Sequence, residues 1–306
     1  MGETIAAQPT LEAPPVEMRT GAFAMIDALG FKGIWRRHSA RDVIQKLRGL
    51  EARALEQIAR DRARHEIFHE VGGVLFRTDT SLLSDTIVVS ASWSGTPRLG
   101  NPPIAQSGAE LLARADWLTV HLVVEAITAM VVLAAADAPV PLAYRGCVSW
   151  GDFIHDDRFI VGSAVDHAAQ GHEQAEAAIV WLHDSAKRVI DNPVATGLSG
   201  NPAASRDHFL TPYLVPLKKG TVDTYVVNPF LEDMKRDDRA RVIARTLKTF
   251  DDPNLTPEEK GRVEAKRRNT EAFLTMHHDR WDAAVASMPR LVRYDDSESV
   301  TSSEVV

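Results

Sequence analysis

Hydrophobic spacing divides the chain into alternating strand and helix signals. Gly21–Leu29 is an apolar run with bulky residues at every second position and reads as a strand. From Trp35 to about His69, the residues Val43, Ile44, Leu47, Leu50, Leu55 and Ile58 recur near helical spacing among Arg and Glu, until Gly72-Gly73 breaks the run. Val74–Ser90 predicts a hairpin with Arg77–Ser81 at its turn. The Pro/Gly/Ser-rich Ser92–Gly108 predicts a loop, followed by a long helix over Ala109–Ala135. Ala143–Phe153 and Arg158–Val161 read as a strand pair around the polar, solvated turn His155-Asp156-Asp157. Ser163–Glu176 is helical in pattern, Ala178–Leu182 strand-like, and 191–206 a Gly/Pro/Asn/Ser loop. Tyr213–Val227 predicts a last hairpin turning at Lys218-Lys219-Gly220. Residues 232–290 predict two charged helices broken at Asp251-Asp252-Pro253-Asn254. This order gives an α+β fold, a ferredoxin-like sandwich with an appended C-terminal helical pair. The divisions are a flexible leader over 1–19, a main domain over 20–230, a helical extension over 231–292 and an acidic, disordered tail over 293–306.

Composition narrows the function classes. The 306 residues are 44% hydrophobic and 25% charged, ordinary for a soluble globular protein. A single cysteine, Cys147, excludes an intrachain disulfide and a cysteine zinc cluster and fits a cytoplasmic setting. The net charge of -7 argues against broad nucleic-acid binding, since no basic excess displaces phosphate counterions. No membrane segment is expected, because the apolar stretch Leu122–Ala136 contains Glu125 and falls short of the roughly 20 residues a span needs.

The chemistry points to two aspartates. Asp27, just before Gly30 in Phe23–Phe31, and Asp85, in Ser81–Ser90, each sit alone in an apolar, strand-like run. A carboxylate in such a setting is expensive unless a cation sits on it. Period-two alternation places Phe23, Met25 and Asp27 on one face, and Ser81, Leu83 and Asp85 on one face of the hairpin. If the strands are neighbours, the two carboxylates converge and the Ala28 carbonyl can join them. Hard oxygen ligands of this kind suit Mg²⁺ or Mn²⁺. The plainer alternative is that each Asp caps a strand end or pairs with an Arg.

The sequence resembles the class III nucleotidyl cyclases. Asp27-Ala28-Leu29-Gly30-Phe31 is similar to that family's first metal-binding strand and phosphate turn, and Ser84-Asp85 to its second metal position. Arg145-Gly146-Cys147-Val148-Ser149-Trp150-Gly151 resembles its arginine–glycine strand, Gly162-Ser163-Ala164-Val165 its entry into a catalytic helix, and Leu217-Lys218-Lys219-Gly220 its phosphate-binding lysine turn. These motifs run in order through 20–230. Within the family the chain most resembles the pyrimidine cyclases of bacterial Pycsar antiphage systems.

The resemblance implies two divalent ions, Mn²⁺ or Mg²⁺, held by Asp27, Asp85 and the Ala28 carbonyl. It implies a triphosphate bound by Leu29, Gly30, Phe31, Arg145, Lys218 and Lys219. It also implies a head-to-tail homodimer with shared active sites. The family's adenine-reading Lys and Asp align with Ser81 and Phe159, and its transition-state Asn and Arg with Asp166 and Gln170. A purine pattern is therefore missing, and bulky Phe23, Met25 and Phe159 fit a smaller base. The expected activity is conversion of UTP to cyclic UMP as the signal in antiphage defence, read by a separate effector protein. The alternatives are a cytidylate cyclase making cyclic CMP and a non-catalytic nucleotide-binding domain.

Remaining motifs have plainer readings. His65-Glu66-Ile67-Phe68-His69 matches a zinc-protease pattern, but Leu75 stands at the third-ligand position of one zincin class, and no suitable Glu follows. His277-His278 reads as helix surface, and His167 and His172 as packed or surface residues.

Overall fold

The computed structural model describes residues 17–31, 34–64, 74–95, 107–136, 140–156, 159–196, 209–231 and 234–287. The leader up to residue 16, the His65–His69 motif, the tail beyond 287, and most of the two predicted loops at 92–108 and 191–206 lie outside them.

Strand β1 (Arg19–Leu29) is the organising element. It pairs antiparallel with β3 (Thr86–Ser94) on one side and with β4 (Ala143–His155) on the other. The sheet runs β2 (Leu75–Leu83), β3, β1, β4, β6 (Val180–Leu182), β8 (Thr221–Val227), β7 (Leu210–Pro216), while the short β5 (Ile160–Val161) pairs with the end of β4. Only the β4–β6 pairing is parallel among these ladders, so the sheet is mixed and the fold α+β, as the element order predicts.

Alternation along β1 sorts its side chains to two covered faces. Ala22, Ala24, Ile26 and Ala28 join the main core with α1 (Ala40–Arg64) and α2 (Gly108–Ala136). Phe23 and Met25 face the other way, against α3 (Ser163–His172) through Ala164, Val165 and Ala168. Small residues on the first face let a helix lie close to the sheet. Gly146 does the same between strands, since a Cβ there would stand 2.5 Å from both the Met25 carbonyl oxygen and Ile26 Cγ2.

Helix α2 is apolar all round because neighbours cover it all round. By length and composition it is sufficient to cross a membrane, contrary to the expectation from Leu122–Ala136, yet 89% of its most apolar window is buried in the protein. Glu125 is tolerated there because His121 Nε2 lies 3.1 Å from its Oε1.

Several local expectations are corrected. The first hairpin turns at Ser84-Asp85, not Arg77–Ser81; Arg77 to Ser81 lie within β2 and pair with Ser92 to Val88. The helix predicted over Ser163–Glu176 ends at His172, and Glu173–Ala178 turns back, forming an isolated bridge between Ala175 and Leu217. A helix, α4 (Asp184–Ile190), follows β6, and α5 (Pro193–Thr196) opens the segment read as a loop. His155 belongs to β4 and is 4% exposed, so it is no solvated turn residue.

The last two helices are α6 (Arg236–Lys248) and α7 (Pro257–Ser287), separated at the predicted break. They pack on the sheet's far end, where Val242, Phe273 and Leu274 share a cluster with Trp181, Val215 and Val226. The inward stripe of α7 carries Thr270, Phe273, Leu274 and His277, all buried. His277 therefore corrects a surface reading: its ring stands 4.7 Å from that of Phe273, and burial pushes its pKa down to about 3.

Candidate active site

Three elements meet at the C-terminal end of β1. The β1–β4 register sets Asp27 opposite Arg145, and the β1–β3 register sets Asp27 opposite Thr86, the residue after Asp85. The Ala28 N–H donates to the Asp85 carbonyl at 3.2 Å, which fastens the β2–β3 turn to the metal-candidate strand. Ser84 in that turn adopts φ 62°, a left-handed conformation that lets two residues reverse the chain. The two aspartates predicted from sequence are thus neighbours, though Asp85 sits in a turn and not on a strand face.

Their electrostatics are unfavourable as they stand. Burial raises the Asp27 pKa above 3.8, the nearby Asp85 charge raises it further, and Arg145 lowers it. The same two carboxylates, after burial itself, push up the Tyr144 hydroxyl beside them. Arg145 Nη2 is 3.4 Å from Asp27 Oδ2, a loose contact for a charged pair. Its other amino group is taken by the carbonyls of Glu173 at 3.0 Å and Ala175 at 3.4 Å. One guanidinium, shared this way, leaves two adjacent carboxylates short of positive charge. That deficit fits a divalent cation. Among the described residues no group of three or more His, Cys, Asp or Glu could hold a metal, so Asp27 and Asp85 would need further oxygens from backbone, water or substrate.

Beyond Leu29 the chain turns at Gly30, whose φ of +71° is readily adopted by glycine. Arg37 Nη2 donates to the Gly30 carbonyl at 2.6 Å, and Nη1 to that of Thr249 at 3.3 Å, so the turn is tied to the end of α6. Leu29 is buried with Ala143 and Phe250, and Phe31 packs edge-on to Trp35 with ring centroids 5.8 Å apart. Lys218 reaches Glu173, Nζ to Oε2 3.6 Å, the residue whose carbonyl holds Arg145; Lys219 is exposed in the same turn. Asp27, Asp85, Ala28, Gly30 and Arg145 are therefore gathered, with Lys218 one residue contact away.

The residues aligned with base recognition are more dispersed. Phe23 is fully buried, with its ring 5.7 Å from Phe153 and 6.2 Å from His155. Met25 is half-buried beside it. Ser81 Oγ lies 2.8 Å from His155 Nε2, and Ser90 Oγ 2.8 Å from His155 Nδ1, so one imidazole joins two hydroxyls. Burial first, with Arg19 and Arg77 adding to it, lowers the His155 pKa. Phe159 is 61% exposed, and Asp166 and Gln170 lie exposed on α3. His155, Glu173 and Ala175 escape sequence reasoning. The last two act through carbonyls, which every residue has. For His155 the available signal is its position two residues past Phe153 on the inward side of β4.

No family model and no curated protein matches the chain. It is similar to solved structures of nucleotidyl cyclases. They include the catalytic core of a rhodopsin-guanylyl cyclase with converted specificity in complex with ATPalphaS, at 16% identity and TM-score 0.40, covering 70% of this chain and 98% of that one. The adenylyl cyclase CyaB from P. aeruginosa has 14% identity and TM-score 0.36, covering 72% and 100%. Adenylate cyclases from Trypanosoma brucei in their monomeric state have 15% identity and TM-score 0.35, covering 70% and 91%. All three TM-scores are below 0.5, and the chemical reading rests on the residues above.

Proposed function

We propose that the chain is a nucleotide cyclase of the class III type that converts UTP to 3′,5′-cyclic UMP and pyrophosphate. The observation that carries this reading is the pairing of Asp27 and Asp85 at one strand end, under-compensated by Arg145 and next to a glycine turn. Divalent cations, Mn²⁺ or Mg²⁺, bound there would neutralise phosphate charge and acidify the ribose 3′-hydroxyl. Asp27 and Asp85 would hold them with the Ala28 carbonyl. Leu29, Gly30 and Phe31 would line the triphosphate, and Arg145 with Lys218 and Lys219 would face the leaving pyrophosphate. In the reaction the 3′-oxygen bonds to the α-phosphorus, the bond to the bridging oxygen breaks, and the hydroxyl proton is released.

A pyrimidine base is supported by Ser81 and Phe159 at the positions aligned with purine-reading Lys and Asp. Asp166 and Gln170, in place of the family's Asn and Arg, leave more of the charge to Arg145 and the cations. The reading extends to a cytoplasmic homodimer with shared sites, its cyclase domain over 20–230 and a helical extension over 231–292. It would be the signal producer of a Pycsar-like antiviral system with a separate effector.

The test is incubation of the full chain with ATP, GTP, CTP or UTP and Mn²⁺, with products identified by mass spectrometry. Cyclic UMP is expected, reduced at least about a thousandfold by Asp85→Ala, because several kcal/mol of transition-state stabilisation go with the metal. Cyclic CMP instead would move the base assignment to cytidine. Product from no nucleotide, or near-normal turnover by Asp85→Ala, would overturn the cyclase reading or its metal assignment.

A further inference from the structure

Helix α7 touches the candidate site at two places. At Val263 it packs with Leu29, Ala143 and Phe250, beside the Gly30 turn. Two turns later Asn269 Nδ2 donates to the Glu176 carbonyl at 3.0 Å, and Thr270 Oγ1 accepts from the Ala178 N–H at 2.8 Å. Those contacts lie on the returning segment whose carbonyls at Glu173 and Ala175 hold Arg145. Lys266 is three residues past Val263 and three before Asn269, so it shares their inward stripe. A cleft of about 460 Å³ opens there, lined by Gly30, Arg37, Arg262 and Lys266 among others.

We propose that Lys266, carried on the helical extension, is a phosphate ligand of the candidate site, placing its ammonium on the pyrophosphate end of a nucleoside triphosphate that enters over Gly30. This deepens the cyclase reading and rests on it for the identity of the anion.

The other cations bordering the cleft are already engaged. Arg37 is held by the carbonyls of Gly30 and Thr249, and Arg262 pairs with Glu258. Lys266 makes no hydrogen bond or ion pair among the described residues. Burial lowers its pKa, Glu176 opposes that, and Arg145, Lys218 and Arg262 lower it further. A half-buried lysine in the field of three other cations is an arrangement that an incoming polyanion stabilises. Asp252 and Glu259 also line the cleft, at the α6–α7 break and the start of α7. Their carboxylates repel an anion, so binding depends on the lysine offsetting them.

The experiment is calorimetric titration of inorganic tripolyphosphate into the full chain, without nucleotide or turnover. Lys266→Met is expected to weaken binding at least about tenfold, the loss of one charged hydrogen bond, and Lys266→Arg to restore most of it. Lys260→Met, an exposed lysine on the same helix, is expected to bind as the parent does. Circular dichroism establishes that each variant is folded. Parent-like binding by Lys266→Met, equal weakening by Lys260→Met, or no binding by the parent would overturn the proposal. Because no cyclic product is read, a failure here is separable from failure of the cyclase assignment.

Discussion

The two ends of the β1–β4 ladder each carry an arginine and an aspartate, and they are built differently. At the N-terminal end of β1, Arg19 is 6% exposed, contacts Asp79 at 2.5 Å and donates to the His155 carbonyl at 2.6 Å. Its guanidinium also lies 5.0 Å over the Phe153 ring. Arg77 Nε lies 3.2 Å from the same Asp79 oxygen, so one carboxylate there serves two cations. At the C-terminal end two carboxylates lie together, and the one arginine in contact with Asp27 is already committed to two carbonyls. The first arrangement is a closed structural cluster. The second is left with a charge deficit, and such deficits gather where a ligand completes them.

The comparison can be broken most sharply at Asp27. Asp27→Asn should reduce cyclisation at least about a thousandfold, the same loss expected at Asp85, because a neutral amide no longer holds a divalent cation. Retained turnover in a steady-state assay would dissolve the distinction between the two ends. At the closed end, Asp79→Asn should cost about 2 kcal/mol in urea denaturation, since it strands a buried guanidinium while Asp79 itself is partly solvated. A loss under about 0.5 kcal/mol would show that Arg19 is satisfied by His155 alone.

Stability at the open end should move the other way. The folded-state pKa of Asp27 is raised above 3.8, so the native chain holds its proton more tightly than the unfolded one. That contribution is full below pH 3.8 and is lost as pH rises through the folded value. In chelator-treated buffer, Asp27→Asn should therefore be more stable than the parent, by a margin that widens from pH 4 upward. A margin that shrinks with pH would mean Arg145 outweighs burial and Asp85. The smallest effect is expected at Ser81→Ala: a change of roughly threefold to tenfold in the kcat/KM ratio of UTP to CTP, with a lesser change for the better substrate. Equal losses for both would remove Ser81 from base reading.

Much of this was legible in the residues. The apolar alternation of Gly21–Leu29, the long Ala109–Ala135 helix and the 213–227 hairpin all appear close to their predicted places. Asp27 and Asp85 stand out because carboxylates are rare in apolar strands. The first hairpin misleads for a physical reason. The stretch from Arg77 to Ser81 is polar because β2 is a sheet edge, where polar side chains discourage pairing with other chains, and the same composition imitates a turn. His155 precedes Asp156-Asp157 and looks solvated, yet Ser81 and Ser90 reach both its ring nitrogens from across the sheet. No local pattern records that. Lys266 is hidden among other basic residues of α7, and only the inward stripe from Val263 to Phe273 distinguishes it.

The hydrogen bond from the Ala28 N–H to the Asp85 carbonyl has a consequence for how the site can change over time. The separation of the two carboxylates is counted in whole residues, since Asp27 holds a paired strand position and Asp85 sits in the turn that this bond fastens to the strand. A slipped register would move one of them by about 3.3 Å and turn its side chain to the opposite face. Between those steps there is no gradual series of intermediates. Descendants of this chain can vary the cleft, the base-facing strand and the outer helix by small degrees, but they keep or lose the carboxylate pair all at once.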